Sequence, residues 1–301
     1  MGIDYHQLKS WHIAPISQTY TERDTILYAL GIGLGHDPII EKQLRFVYEK
    51  ELLAIPTMAG VLGYPGMWLK DPALGINWKK TVHGEQSMVF HRPLSVAGSI
   101  IGTNKVKSVV DKGQGRGALV VTERVLTDSS SGDLIATLLH TAFCRSDGGF
   151  RSQGNEGDAP LPPKRQLPSR APDIFLKFET RPESALIYRL SGDYTPLHVD
   201  PLAAQAAGFL KPILHGMTTF GMAAHAILKG CCDYNPARIR SISGRFSNPV
   251  FPGETISTEI WLGKDVGNPG EVMFRSSLVE REGIVLDHGY AEIVIDHSKD
   301  I

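Results

Sequence analysis

Between Ser191 and Gly216 the chain reads SGDYTPLHVDPLAAQAAGFLKPILHG, with Asp193, His198 and Asp200 inside eight residues and His215 directly before Gly216. A carboxylate beside an imidazole can hold one water molecule, take a proton from it and deliver a proton to carbon. Histidine suits this task because its charge changes near neutral pH, and a carboxylate partner can fix which ring nitrogen carries the proton. Pro196 restricts the backbone between Asp193 and His198. Asp200 precedes Pro201, the arrangement of a helix cap and a first helical residue, so its expected role is structural. If Gly216 opens a helix, its N–H has no partner within that helix. Such a donor can stabilise negative charge on a carbonyl oxygen, and glycine lets that oxygen approach closely. Together the acid, the imidazole and the helix-terminal donor describe hydration or dehydration of a double bond next to a carbonyl.

The elements around this segment must aim three groups at one point. The run LIYRL, residues 186–190, reads as a strand leading into the loop of Asp193. Residues 213–230 space Leu214, Met217, Phe220, Gly221, Ala224 and Leu228 at threes and fours, the apolar stripe of a helix that Gly230 ends. Residues 201–209 form a shorter helix. Residues 21–33 predict another in the first half, capped by Thr21. Alternating, β-branched segments on both sides predict antiparallel strands with one buried face, and SSSGD (129–133) and EREG (280–283) are hairpin reversals. FHRPLSVAGSIIGTNKV (90–106) echoes FSNPVFPGETISTEIWL (246–262), which suggests an internal duplication. The Gly- and Pro-rich stretch 148–173 has no period and reads as a surface connection. The fold class is α+β, with strands and a central helix in each half.

Thirty-one Lys and Arg against 32 Asp and Glu leave a net charge of -1, which gives no global reason to expect nucleic acid or anionic lipid. Three cysteines are too few for a disulfide scaffold and lack zinc spacing, and the residue pattern offers no metal cluster. GIGLG, residues 31–35, follows a helix-like segment rather than a strand, so it is not a dinucleotide loop. MAGVLGYPGMW, residues 58–68, is glycine-rich without phosphate-loop spacing and reads as lining or packing. No apolar run reaches membrane-spanning length, and the ending DHSKDI is not a Ser-Lys-Leu address. The expectation is a soluble intracellular protein: cytoplasmic, or peroxisomal or mitochondrial if eukaryotic.

The run from Asp193 through His198 to Pro201, followed by Gly208-Phe209 and Pro212 to Gly216, resembles the motif of the type 2, MaoC-like, R-specific enoyl-CoA hydratases. These also form the hydratase part of the peroxisomal multifunctional enzyme of β-oxidation. RFSNPVFPGETI (245–256), VHGEQSMVFHRPL (82–94) and DKGQGRGALV (111–120) extend the resemblance to the two-repeat form. It implies a double hot dog, each repeat an antiparallel sheet wrapped around a central helix. Residues 1–150 would be an N-terminal repeat shaping the acyl pocket, 151–173 a linker, and 174–301 the catalytic repeat.

The resemblance assigns Asp193 and His198 to a water-holding pair and Gly216 to the donor for the thioester carbonyl. The implied reaction converts trans-2-enoyl-CoA to (3R)-3-hydroxyacyl-CoA, with no metal or redox cofactor and coenzyme A as part of the substrate. The family usually has asparagine where this chain has Thr195, whose shorter hydroxyl can replace one of its hydrogen-bonding functions. Thr195, Tyr194 and His215 are therefore candidates for supporting roles. Phe209, Lys211, Arg245, Phe246, Glu85 and Gln86 are candidates for substrate contact, with Lys164 or Arg165 as further cations for phosphate. A homodimer is implied, and acyl carrier protein is a second candidate carrier. Two other readings of the same residues stay open: a dehydratase for a branched, aromatic or polyketide-like acyl thioester, and a non-catalytic acyl-thioester binder.

Overall fold

The computed structural model describes residues 2–263 and 270–295, so the terminal hexapeptide DHSKDI lies outside the described residues. Helices α1 (Tyr5–Lys9), α2 (Glu22–Gly31) and α3 (Glu41–Leu44) and strand β1 (Ile16–Tyr20) precede four long strands. These are β2 (Thr81–Phe90), β3 (Gly98–Asp111), β4 (Ala118–Asp128) and β5 (Leu134–Cys144). The second half repeats the order. It has β6 (Ile174–Glu179), α4 (Ser184–Tyr188), α5 (Pro201–Ala206), α6 (Gly216–Cys231), then β7 (Ile239–Phe246), β8 (Thr255–Leu262), β9 (Glu271–Leu278) and β10 (Ile284–Ile293).

All ten strands join one antiparallel sheet in the order β1-β3-β4-β5-β2-β7-β10-β9-β8-β6. Read outward from its centre, each side has the same internal order, so the sheet is two five-stranded repeats joined edge to edge. The join is the β2–β7 ladder, with Gln86 opposite Gly244 and Met88 opposite Ile242. Each edge thereby covers the other's unpaired backbone groups. The predicted echo of 90–106 with 246–262 is the step from β2 to β3 repeated in the step from β7 to β8. This is a double hot dog.

The helical cores of the two halves are unequal. In the second half α6 has 16 residues, and every residue from Thr218 to Leu228 is buried. The predicted single apolar stripe therefore understates its surroundings: the helix is enclosed on all sides. Its small residues permit this. A Cβ on Gly221 would meet Ile32 Cγ2 at 2.5 Å and the Tyr28 hydroxyl at 3.2 Å. The first half has the ten-residue α2, held by the Thr21–Asp24 capping box. A five-residue 3-10 turn follows at Pro56–Gly60 and packs on α6.

The LIYRL segment differs from the expected strand. It is helical through α4 and a following 3-10 turn, Arg189–Ser191. Its buried residues Ala185 and Tyr188 are three apart, while Leu186 and Leu190 are exposed. That is one face of a helix, which packs on α2 with Tyr28 and Tyr188 ring centroids 5.9 Å apart. Among the described residues no helix is long and apolar enough to cross a membrane.

The tight contact at Gly221 gives a stability test. Gly221→Val would drive a side chain into Ile32 and should lower the unfolding free energy by about 1–3 kcal/mol, the usual range for overpacking. Urea unfolding measures it directly.

Candidate active site

The 3-10 turn after α4 ends at Gly192, whose φ of 125° lies in the left-handed region that favours glycine and turns the chain sharply inward. Asp193 follows. Its Oδ1 accepts from the Thr195 hydroxyl at 2.6 Å and from the Thr195 amide at 3.1 Å. A short turn, Pro196–His198, then presents the imidazole, and Asp200 caps α5 by accepting from the Leu202 amide at 2.8 Å. Asp200 is thus the structural acid that the sequence indicates.

Two carbonyls set the histidine tautomers, because a carbonyl oxygen can only accept. His198 Nδ1 donates to Ile213 O at 2.8 Å, so its Nε2 carries the lone pair. His215 Nε2 donates to Asp193 O at 3.1 Å, and its buried Nδ1 has no hydrogen-bond partner among the described residues. The two imidazoles stack with centroids 3.7 Å apart and planes at 25°. His215, 1% exposed, packs on the other side against Tyr188 at 5.0 Å. It therefore braces the loop and the ring of His198 together.

Burial governs the charges. It pulls His198 below its ordinary value, and the Ile213 bond and nearby Asp193 offset only part of this. It lowers His215 to about 3, with His198 adding to the effect. Burial pushes the Asp193 carboxyl upward, but the Thr195 hydroxyl and the two imidazoles outweigh it and hold the group below the usual range. Near neutral pH the site is a carboxylate beside two uncharged imidazoles.

Donor atoms of Asp193, His198 and His215 lie within 4.8 Å of one another, which raises the question of a metal. Imidazole lone pairs lie in the ring plane, so two nearly parallel stacked rings direct them side by side rather than at one ion. Tetrahedral zinc sites need convergent ligands at about 2.0–2.1 Å. The arrangement fits proton handling better than metal binding.

Across from the pair, α6 begins at Gly216, with His215 as its N-cap residue. Among the described residues the Gly216 N–H has no backbone partner. The ring of Phe246 lies against it, where an added Cβ would come within 3.3 Å. Asp193, Thr195, His198, Phe209, His215, Gly216, Phe246 and Gln86 all line one cavity of about 310 Å³.

Six other candidates do not line it. Tyr194 is 56% exposed and lies under the Arg189 guanidinium. Lys211 is exposed over Phe251, and Arg245 is exposed on the outer side of the β2–β7 ladder, in register with Glu85. Glu85 pairs with Lys164, and Arg165 pairs with Glu271 at 3.1 Å. The two linker cations therefore fasten the connection to both repeats. Strand alternation explains the split between neighbours, since Gln86 faces inward and Glu85 outward.

Further cavity residues come from the first half: His83 and His140, with centroids 4.2 Å apart, Arg124 and Tyr64. Tyr64 falls in the 58–68 stretch expected to be lining or packing, whereas His140 and Arg124 escape the sequence reading. Burial, then nearby Asp193, raises the Tyr64 hydroxyl to about 12, so it stays protonated beside the site. One signal was available. The inward positions of β4 read Val120, Thr122, Arg124, Leu126, and an arginine is out of place on an apolar face.

Residues 164–280 match the MaoC like domain, and residues 18–146 match the MFE-2 hydratase 2 N-terminal domain. The chain is 39% identical to 3-hydroxyacyl-thioester dehydratase Y of Mycobacterium tuberculosis, covering 93% of this chain and 95% of that protein. It belongs to the MaoC-like hydratase family. Another relative, the peroxisomal enoyl-CoA hydratase 2 of Arabidopsis thaliana, is 38% identical over 91% of this MaoC-like chain and 90% of its own. A MaoC-like dehydratase structure from Phytophthora capsici superposes with a TM-score of 0.83 at 35% identity. It covers 98% of this chain and 100% of that one.

The buried, uncharged histidines predict a sign for pH dependence. His215 and His225 titrate near 3 when folded, largely through burial, against 6.5 when exposed. Their contribution is complete above pH 6.5 and is lost as pH falls toward 3, because the unfolded chain binds protons that the fold refuses. Unfolding free energy should decline between pH 6.5 and 5, before most carboxylates protonate. His225→Leu, which retains an apolar contact with Phe178, should flatten that slope in chemical unfolding.

Proposed function

We propose that this chain catalyses reversible addition of water to a trans-2-enoyl-CoA, giving the (3R)-3-hydroxyacyl-CoA. The carrying observation is that Asp193, His198 and the start of α6 at Gly216 open on one cavity. The relatives named enoyl-CoA hydratase and 3-hydroxyacyl-thioester dehydratase support the substrate class and the two directions of the reaction.

The thioester oxygen accepts from the Gly216 N–H at the positive end of α6, which draws electron density from the double bond. A water held between the free oxygen of Asp193 and Nε2 of His198 attacks C3. Its proton passes to Nε2, and the imidazolium is stabilised by the adjacent carboxylate. The charge reaches the thioester oxygen as an enolate. Collapse of that enolate takes the proton from His198 to C2, so both parts of water arrive from one face. His198 is thus base and then acid, and Asp193 holds the water and the charge. Thr195 is a positioning residue that fixes the carboxylate rotamer through its hydroxyl and amide. Because the base must be uncharged, kcat/KM should fall on the acid side with an apparent pKa below 6.5.

The test follows loss of the enoyl-thioester ultraviolet band over a chain-length panel, with chiral analysis of the product. Asp193→Asn and His198→Gln should each lower kcat by about 100- to 10,000-fold, the usual share of general acid–base catalysis, with unchanged thermal unfolding showing an intact fold. Full activity in Asp193→Asn would refute the assignment.

A further inference from the structure

The cavity contains a buried polar band that the hydration steps do not use. Arg124 is 8% exposed, between the inward-facing apolar residues Val120 and Leu126 of β4. Its Nε donates to Asn104 Oδ1 at 3.2 Å, and its Nη1 donates to the carbonyls of Gly60 and Leu62 at 3.0 and 2.8 Å. Its guanidinium lies 5.3 Å from the Tyr64 ring centroid. Burial lowers its pKa to about 10, which still leaves it charged at neutral pH.

No carboxylate reaches this charge among the described residues. The adjacent acid, Glu123, lies on the opposite face and pairs there with Lys105 and Lys107. Nη2 of Arg124 makes no hydrogen bond among the described residues. One residue pair away, Thr122 is 6% exposed and its hydroxyl is buried without a partner. Thr122 stands in register with His140, and His140 with Gln86, so the polar row crosses three strands. Burial lowers His140 to about 4, leaving a neutral ring with one donor and one acceptor. All of these groups line the same cavity as Asp193.

A cavity meant for a plain alkyl chain gains nothing from these groups. A buried charge without a counter-charge is costly, and two carbonyl dipoles offset only part of the cost. An anion arriving with the ligand would complete the pairing, and guanidinium–carboxylate hydrogen bonds are among the stronger ones available. We propose that the cavity selects acyl thioesters whose chain carries a carboxylate remote from the thioester, bound by Arg124 Nη2 with Thr122 and His140 as further donors. The inference rests on the hydratase reading only for which end of the ligand lies at Asp193.

Titration calorimetry with saturated acyl-CoAs tests it without requiring turnover. Sets matched in chain length end in methyl, hydroxyl or carboxylate. At the chain length that spans the cavity, the carboxylate form should bind at least about tenfold more tightly than the methyl form, as one charge-assisted hydrogen bond allows. Arg124→Gln should abolish that preference. Thr122→Val, a near-isosteric change, should reduce it several-fold if the arginine variant does not fold. Equal or tighter binding of the methyl form at every length, equal binding of the hydroxyl form, or no binding of any set overturns the proposal. Hydration of the matching enoyl-CoAs is followed in parallel. Turnover without the preference removes this inference, whereas the preference without turnover removes the hydratase reading.

Discussion

The pairing of β2 with β7 is the constraint on which the site depends. Without it each repeat would expose a strand edge, and the cavity would lose one wall. The register also decides which side chains meet. Gln86 stands opposite Gly244, two residues before Phe246, and His83 packs on the Phe246 ring at a centroid distance of 4.5 Å. Phe246 in turn lies against Gly216. A one-residue slip would turn Phe246 to the face opposite His83 and Gln86 and separate the first repeat from the helix that opens the site.

The repeats have diverged around this shared sheet. In the second, a helix buried from Thr218 to Leu228 brings its free N-terminal donor to the cavity. In the first, the shorter 3-10 turn at Pro56–Gly60 leaves the inner face of β2–β5 facing open volume, and the residues there are polar rather than uniformly aliphatic. On the proposed mechanism the second half supplies the proton-handling groups, and residues of the first line the same cavity. The division follows from how much helix each repeat retains.

Much of this was legible in the chain. The Asp193–His198 loop, the Asp200 cap, the Gly216 helix start and the echo between the repeats each follow from residue type and spacing. The strand expected at 186–190 failed because five residues cannot distinguish a two-residue from a three-residue period; the burial of Ala185 and Tyr188 decides it. Lys211 and Arg245 were attractive as cations, but Arg245 alternates with Gly244 and Phe246 and so faces outward, and Lys211 lies over Phe251. His215 is the reverse case. Its role in bracing the loop depends on a hydrogen bond to a backbone oxygen 22 residues earlier, which no spacing rule exposes.

Asp193, His198 and Gly216 act as one device only if a substrate spans them. The most direct measurement is a crystal structure of the Asp193→Asn protein with bound trans-2-enoyl-CoA. The account expects the thioester oxygen within about 3 Å of the Gly216 nitrogen, and C2 and C3 facing His198 and residue 193 across one water. A thioester turned away from the start of α6, or a double bond out of reach of His198, would contradict it.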